Sequence, residues 1–299
     1  MPARTFHHSA FTAERVAQER AERGLGVSVC LPARQCADTV GEIVVALQRL
    51  RVLGAIDRIV VVDASSTDGT AQVAEQAGAE VWQENELLPS FGAVQGKGDA
   101  MWRALSRLDS ELVCFVDADS EGFSSHFVTG LLGPLVCEQG VSFVKAFYKR
   151  PLGDSDEGGG RVNHLAARPA LALLYPELAE IRQPLAGEVA ARRELLQLLP
   201  FATGYGVETA MLIDAWREVG IDGIAQVDLD RHNNHHQPLS ALSPMALTVL
   251  ATVLARAQRD ERATFGAPID VLAHAPLERP PLAGLAEASM AERSSERDV

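Results

Sequence analysis

The chain has 299 residues, with 40 Asp plus Glu against 27 Lys plus Arg and a formal charge of −13. A hydrophobic fraction of 47% with 22% charged residues is globular rather than disordered, and at roughly 150 residues per domain the length allows one large domain or two small ones. The acidic balance excludes nonspecific binding to nucleic acid or anionic lipid, which needs clustered Lys and Arg, while an anionic substrate stays open wherever basic residues gather. The first residues, to about position 24, read as a helical appendage. VSVCLP (27–32) is a short β-branched run stopped by proline, followed by a helix over 39–53 with Val40, Ile43, Val44, Leu47 and Leu50 at spacings of three and four. DRIVVVD (57–63) predicts a second buried strand ending in a carboxylate. Ser66 or Thr67 then caps a helix that Gly78 closes, and 79–83 is a third strand. GDAMWRALSRL reads as a helix and ELVCFVDAD (111–119) as a fourth strand. This alternation predicts an α/β fold, a mostly parallel central sheet flanked by helices.

The second half is less regular. A strand over 141–150 runs into a basic, Gly-rich loop, helical patterns follow near 163–174, 192–199 and 207–219, and a strand at 223–230 leads to a His/Asn loop. An apolar helix near 244–256 precedes a Pro-, Ala-, Glu- and Arg-rich tail over 263–299, read as disordered or packed on a partner. No apolar run reaches the roughly 18–20 residues of a membrane span. The N-terminus lacks the apolar stretch of a secretory signal. Cys30, Cys36, Cys114 and Cys137 form no CxxC pair, and Cys30 and Cys114 sit in apolar runs as buried thiols. A cytoplasmic protein is expected.

In a parallel sheet, chemistry belongs where strands end and loops begin. Asp117-Ala118-Asp119 follows the fourth strand, and carboxylates at i and i+2 reach one hard divalent cation or simply close a polar turn. Asp63, with Ser65, Ser66 and Asp68, suits hydrogen bonds to a base or ribose as well as helix capping. Lys97, between Gly96 and Gly98 at a helix start, can meet phosphate, although the Walker A spacing is absent. Lys145, Lys149, Arg150 and Arg161 surround Gly158, Gly159 and Gly160, an anion site or a charged surface loop. The loop His232-Asn233-Asn234-His235-His236 offers imidazoles and amides, without zinc-site spacing.

Together these segments resemble the retaining GT-A glycosyltransferases that make glucosyl-3-phosphoglycerate, with mannosyl-3-phosphoglycerate synthases as close relatives. The matching stretches run in order from about 27 to 239: VSVCLPA, IVVVDASSTDGT, GKGDAMWRAL, VCFVDADS, VKAFYKRPL, GGGRV, ARPALALLYPEL, QPLAGEVAARRELL, LPFATGYGVE and IAQVDL. The resemblance implies a GT-A (Rossmann-like) fold with a nucleotide-sugar-binding part over 25–150 and an acceptor-binding part over 151–262. It implies a UDP-glucose donor, or GDP-mannose, a 3-phosphoglycerate acceptor, Mg²⁺ or Mn²⁺, and a homodimer.

Carried over by position, Pro32, Ala33, Arg34, Asp63, Ser65, Lys97, Asp117, Ala118, Tyr205 and Glu208 would hold the nucleotide sugar. Lys97, Asp119, Leu185 and Glu208 would surround the reacting centre. Gly160, Arg161, Asn163, Asn234 and His236 would bind the acceptor, and Asp119 with His236 the metal. The chain departs from the family's pattern at three places. Gln35-Cys36 replaces Asn-Glu after the first strand. Asn163 stands for Thr. An ungapped register puts Asn234 where the metal-binding His is expected, leaving Asn234, His235 and His236 as alternatives. Two other readings use the same residues: a transferase with GDP-mannose as donor or a polyprenyl phosphate acceptor, and a catalytically silent nucleotide-sugar-binding protein.

Overall fold

A computed structural model describes residues 3–152, 155, 158–233, 237–266 and 273–285. The β-branched runs are too short for helices, and they become strands joined by helical crossovers. The chain opens with β1 (Arg4–His7) and α1 (Ala13–Glu22). It continues through β2 (Val27–Ala33), α2 (Ala37–Val52), β3 (Arg58–Asp63), α3 (Thr70–Gln76), β4 (Glu80–Gln83), α4 (Lys97–Leu105) and β5 (Leu112–Phe115). The second half supplies α5 (His126–Cys137), β6 (Phe143–Lys149), α6 (Arg168–Leu174), β7 (Val189–Arg192), α7 (Arg193–Leu198), β8 (Phe201–Ala202), α8 (Val207–Val219), β9 (Ile224–Arg231), α9 (Leu239–Arg259) and β10 (Glu278–Arg279).

Eight strands form one sheet in the order β1-β9-β6-β7-β5-β2-β3-β4. Only β7 runs against its neighbours, β5 and β6; the other pairings are parallel. Side chains alternate across the strands. Val29, Leu31 and Val61 pack with α2 and α5, whereas Cys30, Val60 and Val62 pack with α4, α8 and α9. Both faces are therefore covered, which is why the strands read as continuous apolar runs rather than alternating ones.

Several features differ from the sequence reading. Residues 4–7 are not a helical appendage but an edge strand paired with β9, and only the segment after them is helical. The sheet runs unbroken past residue 150, so the two expected parts share one framework. Helix α3 starts at Gly69, in left-handed backbone at φ +94° without a side-chain cap. The Ser/Thr/Asp turn before it instead satisfies the N-terminus of α2: Ser66 Oγ, Thr70 Oγ1 and Asp68 Oδ2 accept from the amides of Gln35, Cys36 and Ala37. Part of the tail is ordered against the core, where β10 pairs with β8 and Trp102 Nε1 donates to the Pro280 carbonyl at 2.8 Å.

Helix α9 is the one described helix long and apolar enough to cross a membrane. Its Arg256 is buried and donates to Asp214 of α8 at 2.8 Å, which seats the C-terminal half of the helix on α8.

A second buried charge fixes the approach to α4. Asp99 and Arg103 are fully buried and Arg279 nearly so. Arg279 forms two bonds to Asp99, at 2.8 and 2.6 Å. Arg103 donates to the carbonyls of Leu87, Leu88 and Gly92. Burial works to raise the Asp99 carboxyl, but Arg279, the Gln95 amide and Arg103 hold it below the ordinary carboxylate range. Asp99→Ala leaves two guanidiniums without their counter-charge. The expected loss of stability is about 3–5 kcal/mol, read as a lowered midpoint in urea unfolding.

Candidate active site

The carboxyl ends of β2, β3 and β5 open into a cleft of about 730 Å³, the size range of a small-ligand site. Its walls include Pro32, Ala33 and Arg34 after β2, Gly96 and Lys97 entering α4, and Asp117, Ala118 and Asp119 after β5. Leu185 and Gly187 precede β7, and Tyr205 and Glu208 enter α8. Ten residues singled out from the sequence thus share one cavity. A shallower hollow of about 570 Å³ lies along the outer face of α2, away from the strand ends.

Lys97 is the centre of the cleft. Its ammonium lies 2.5 Å from Asp117 Oδ1 and 3.0 Å from Glu208 Oε1. Burial disfavours the charge, yet Asp117 and Glu208 outweigh it and raise the lysine's pKa. Two glycines let α4 start here. Gly96 has φ +81°, and a Cβ on Gly98 would stand 2.0 Å from the Ala202 carbonyl. The Gln-Gly-Lys-Gly pattern therefore reflects close packing as well as chemistry.

Asp119 keeps an exposed tip at the mouth of the cleft. Its surroundings and the neighbouring Asp117 nonetheless raise its carboxyl, with Lys97 opposing. Asp117, Asp119 and Glu208 together set three carboxylates against one ammonium, and hard oxygen donors in charge excess suit Mg²⁺ or Mn²⁺.

Asp63 is buried at the end of β3. Its Oδ2 accepts from the Ser66 amide at 3.1 Å and from Gln83 Nε2 at 3.0 Å, while Oδ1 is buried without a partner. An orphaned acceptor there, beside the cleft-lining Val62 and Ala64, suits an N–H or O–H of a ligand. Ser65 is exposed, at φ +53°. The departure at Gln35 has a local reason: its amide bonds Thr67 at both ends, at 3.2 and 2.8 Å, tying the loops after β2 and β3 together. Burial pushes the neighbouring Cys36 thiol up to about 11, so it is unreactive.

The expected acceptor residues lie beyond Leu185. Gly160 has φ +69°, and Arg161 opens the following helix, one guanidinium N–H donating to the Gln237 carbonyl at 2.5 Å. Asn163 is buried with both polar ends engaged. Its Nδ2 donates to the Arg182 carbonyl at 3.2 Å, and its Oδ1 accepts from the Leu185 amide at 3.5 Å. It supports the cleft wall rather than offering a free group. Asn234, His235 and His236 lie outside the described residues.

Behind Asp119 lies a buried group in which Glu188 and Tyr148 had no expected role, while His232 belongs to the loop expected to complete a metal shell or bind an acceptor. Glu188 accepts from Tyr148 Oη at 2.7 Å and sits 3.1 Å from His232 Nε2, which also lies 2.9 Å from Ser120 Oγ. The His232 ring stacks on Tyr148 at 4.5 Å. Burial would raise the Glu188 carboxyl, but His232 and the Tyr148 hydroxyl draw it down to about 2. Burial lowers the His232 pKa, and Glu188 more than offsets that. Its Nδ1 has no partner among the described residues. Lys145, expected in the basic loop, is instead buried in β6 with its ammonium on the Ala186 carbonyl. Burial brings its pKa down to about 8, against the pull of Glu208.

Residues 28–151 match the glycosyl transferase family 2 profile. The glucosyl-3-phosphoglycerate synthase of Petrotoga mobilis is 40% identical over 263 residues, 86% of this chain and 81% of its own length. Among solved structures, mannosyl-3-phosphoglycerate synthase from Rubrobacter xylanophilus superposes with a TM-score of 0.87 at 42% identity, covering 94% of this chain and 97% of that one. Glucosyl-3-phosphoglycerate synthase from Mycobacterium tuberculosis, solved with Mn²⁺, UDP-glucose and phosphoglyceric acid, gives a TM-score of 0.82 at 36% identity, covering 95% and 99%. Identity at this level over most of both chains, on the same α/β GT-A framework, means that the chain belongs to the glucosyl-3-phosphoglycerate synthase family.

Proposed function

We propose that the chain transfers glucose from UDP-glucose to 3-phosphoglycerate in a reaction that depends on a divalent metal and retains the anomeric configuration. The observation that carries this reading is the charge arrangement of the cleft, where Asp117 and Glu208 both bond the Lys97 ammonium and Asp119 adds a further carboxyl that burial and the neighbouring Asp117 raise. The Mycobacterium tuberculosis relative holds Mn²⁺, UDP-glucose and phosphoglyceric acid together, which supports the same three components here.

Asp119 is the metal ligand, completed by Asn234, His235 or His236. The bound Mg²⁺ or Mn²⁺ supplies positive charge to the diphosphate as it departs. Asp63 accepts from the base or ribose. Pro32, Ala33, Arg34 and Ala118 shape the nucleotide wall, and Lys97 faces the diphosphate with its charge secured by Asp117 and Glu208. Tyr205 and Glu208 face the sugar. The acceptor's phosphate or carboxylate lies against Gly160 and Arg161, whose planar fork suits either group.

The glucosyl C1–oxygen bond to UDP breaks and a bond from C1 to the acceptor hydroxyl oxygen forms on the same face, beside the backbone of Leu185. The hydroxyl proton passes to the departing diphosphate. No protein nucleophile enters, and Glu208, ion-paired with Lys97, is kept for sugar contact. A homodimer and a cytoplasmic location, where its four unpaired thiols stay reduced, belong to the same proposal.

The Rubrobacter xylanophilus likeness gives GDP-mannose a claim as donor. A product assay with Mn²⁺, 3-phosphoglycerate and each donor in turn separates the readings. An α-linked glucosyl product, formed with the higher kcat/KM from UDP-glucose, is expected. Preference for GDP-mannose would reassign the donor, and saturable UDP binding without product would leave a silent binder.

Asp119→Ala should abolish the Mn²⁺ dependence of UDP binding in calorimetry; unchanged affinity would remove Asp119 as ligand. Gly187→Ala tests the geometry, because its Cβ would fall 2.0 Å from Asp117 Oδ2 and turn that carboxylate off Lys97. A fall in kcat of about 10²-fold is expected from such a misplacement, with the thermal midpoint little changed.

A further inference from the structure

At the far edge of the sheet, three side chains that the transfer reaction does not use converge on one point. His7 ends β1, His8 follows it, and Asp230 stands near the end of β9. The two imidazoles share a single carboxylate, His7 Nε2 lying 3.0 Å from Asp230 Oδ1 and His8 Nε2 2.6 Å from Oδ2. One ligand atom from each residue falls within 4.8 Å of the others, a spacing that small side-chain rotations contract around an ion.

The surroundings already orient these groups. His7 Nδ1 accepts from the Ser9 amide at 3.2 Å and lies 2.8 Å from Ser9 Oγ, which orients the ring with Nε2 towards Asp230. The His8 ring packs on His126 at 4.2 Å, tilted by 34°, and His126 is itself anchored through Nε2 to the Leu229 carbonyl at 3.2 Å. Asp230 adopts left-handed backbone at φ +65°, which favours glycine and which Asp tolerates. Its amide donates to Asp228 Oδ1 at 3.0 Å, and its carboxylate lies against both rings.

We propose that His7, His8 and Asp230 form a second metal site, for a transition ion of the zinc class, that fastens β1 to the end of β9. Two imidazoles and one carboxylate with an open fourth position are a zinc-type donor set. Mg²⁺ and Mn²⁺ favour oxygen donors, so a set with two imidazoles to one carboxylate leans to the zinc class. The site lies across the β1–β9 pairing, and an ion there holds the edge strand in place. With an affinity for the folded chain alone, it also raises thermal stability.

The test counts Co²⁺ equivalents on the full-length protein by visible d–d absorption and calorimetry, in wild type, H8A, D230N, D119N and the D119N/H8A pair. H8A and D230N should each lose one equivalent relative to wild type, and D119N/H8A one relative to D119N, whatever D119N does alone. Zn²⁺ should raise the thermal midpoint of D119N and slow deuterium exchange of the β1 amides, with neither effect in D119N/H8A. Asp230→Asn keeps a side chain suited to left-handed backbone, and midpoints in EDTA confirm that the variants are folded. Unchanged Co²⁺ stoichiometry in both H8A and D230N, or equal Zn²⁺ stabilisation of D119N and D119N/H8A, would overturn the proposal. Failure of the Asp119 assignment shows separately, as an unaltered count in D119N.

Discussion

The ion triad of Lys97, Asp117 and Glu208 is the constraint around which the cleft is built. It joins the start of α4, the loop after β5 and the first turn of α8 through one ammonium, so the elements must agree in position to within hydrogen-bond tolerance. A lysine so placed cannot easily lose its proton, because two carboxylates would then face each other in a partly dehydrated space. Its charge is fixed in advance of any ligand, which lowers the reorganisation needed when negative charge builds up nearby. The triad also leaves the cleft short of positive charge. Burial and the neighbouring Asp117 raise the Asp119 carboxyl, and a divalent cation meets the shortage.

Around the triad, buried charges act as registration points. Asp99 holds Arg279, and with it the C-terminal arm, against α4. Asp214 binds Arg256 and Arg259 and fixes α9 on α8. Glu188, His232 and Tyr148 brace the loop that carries Asp119 and Ser120. Such pairs contribute little net stability beside apolar packing, because desolvation offsets much of their attraction. Breaking one is costly, and each admits few geometries. Placed just behind the cleft walls, they hold loop ends that apolar contacts alone would leave free to slide.

The sequence reading reached furthest where local pattern and burial agree. The strands at 27–33 and 58–63 and the helices α2 and α8 were legible because apolar periodicity within each segment is strong. Ten cleft residues were legible because strand ends and familiar motifs mark them. Other features depend on distant partners. β1 is four residues of mixed polarity whose pairing with β9 spans the whole chain. The cap expected of Ser66 and Thr67 failed because the Ser66 hydroxyl accepts from the Gln35 amide ahead of α2 and the Thr67 hydroxyl from the Gln35 side chain, some thirty residues earlier. Lys145 read as part of a basic loop, since nothing in its neighbours reveals that the Ala186 carbonyl receives it. Glu188 and His232 lie 44 positions apart, and no spacing rule joins them.

The short strand β7 shows how topology decides chemistry. In a parallel sheet the residues before a strand lie on the edge away from the active ends. β7 instead runs antiparallel between β5 and β6, with Val189 opposite both Phe115 and Lys145. The residues before it therefore arrive at the same edge as the residues after β5. Continuing that register two steps sets Gly187 opposite Asp117, and the absence of a side chain there leaves room for the carboxylate that holds Lys97. One step nearer the strand, Glu188 points into the Tyr148 and His232 pocket; one step farther, Ala186 offers its carbonyl to Lys145. A reversed strand of four residues thus delivers Leu185 to the cleft, and within the motif Gln-Pro-Leu-Ala-Gly-Glu the Gln183, Ala186, Gly187 and Glu188 positions are set by what the facing strands present to them.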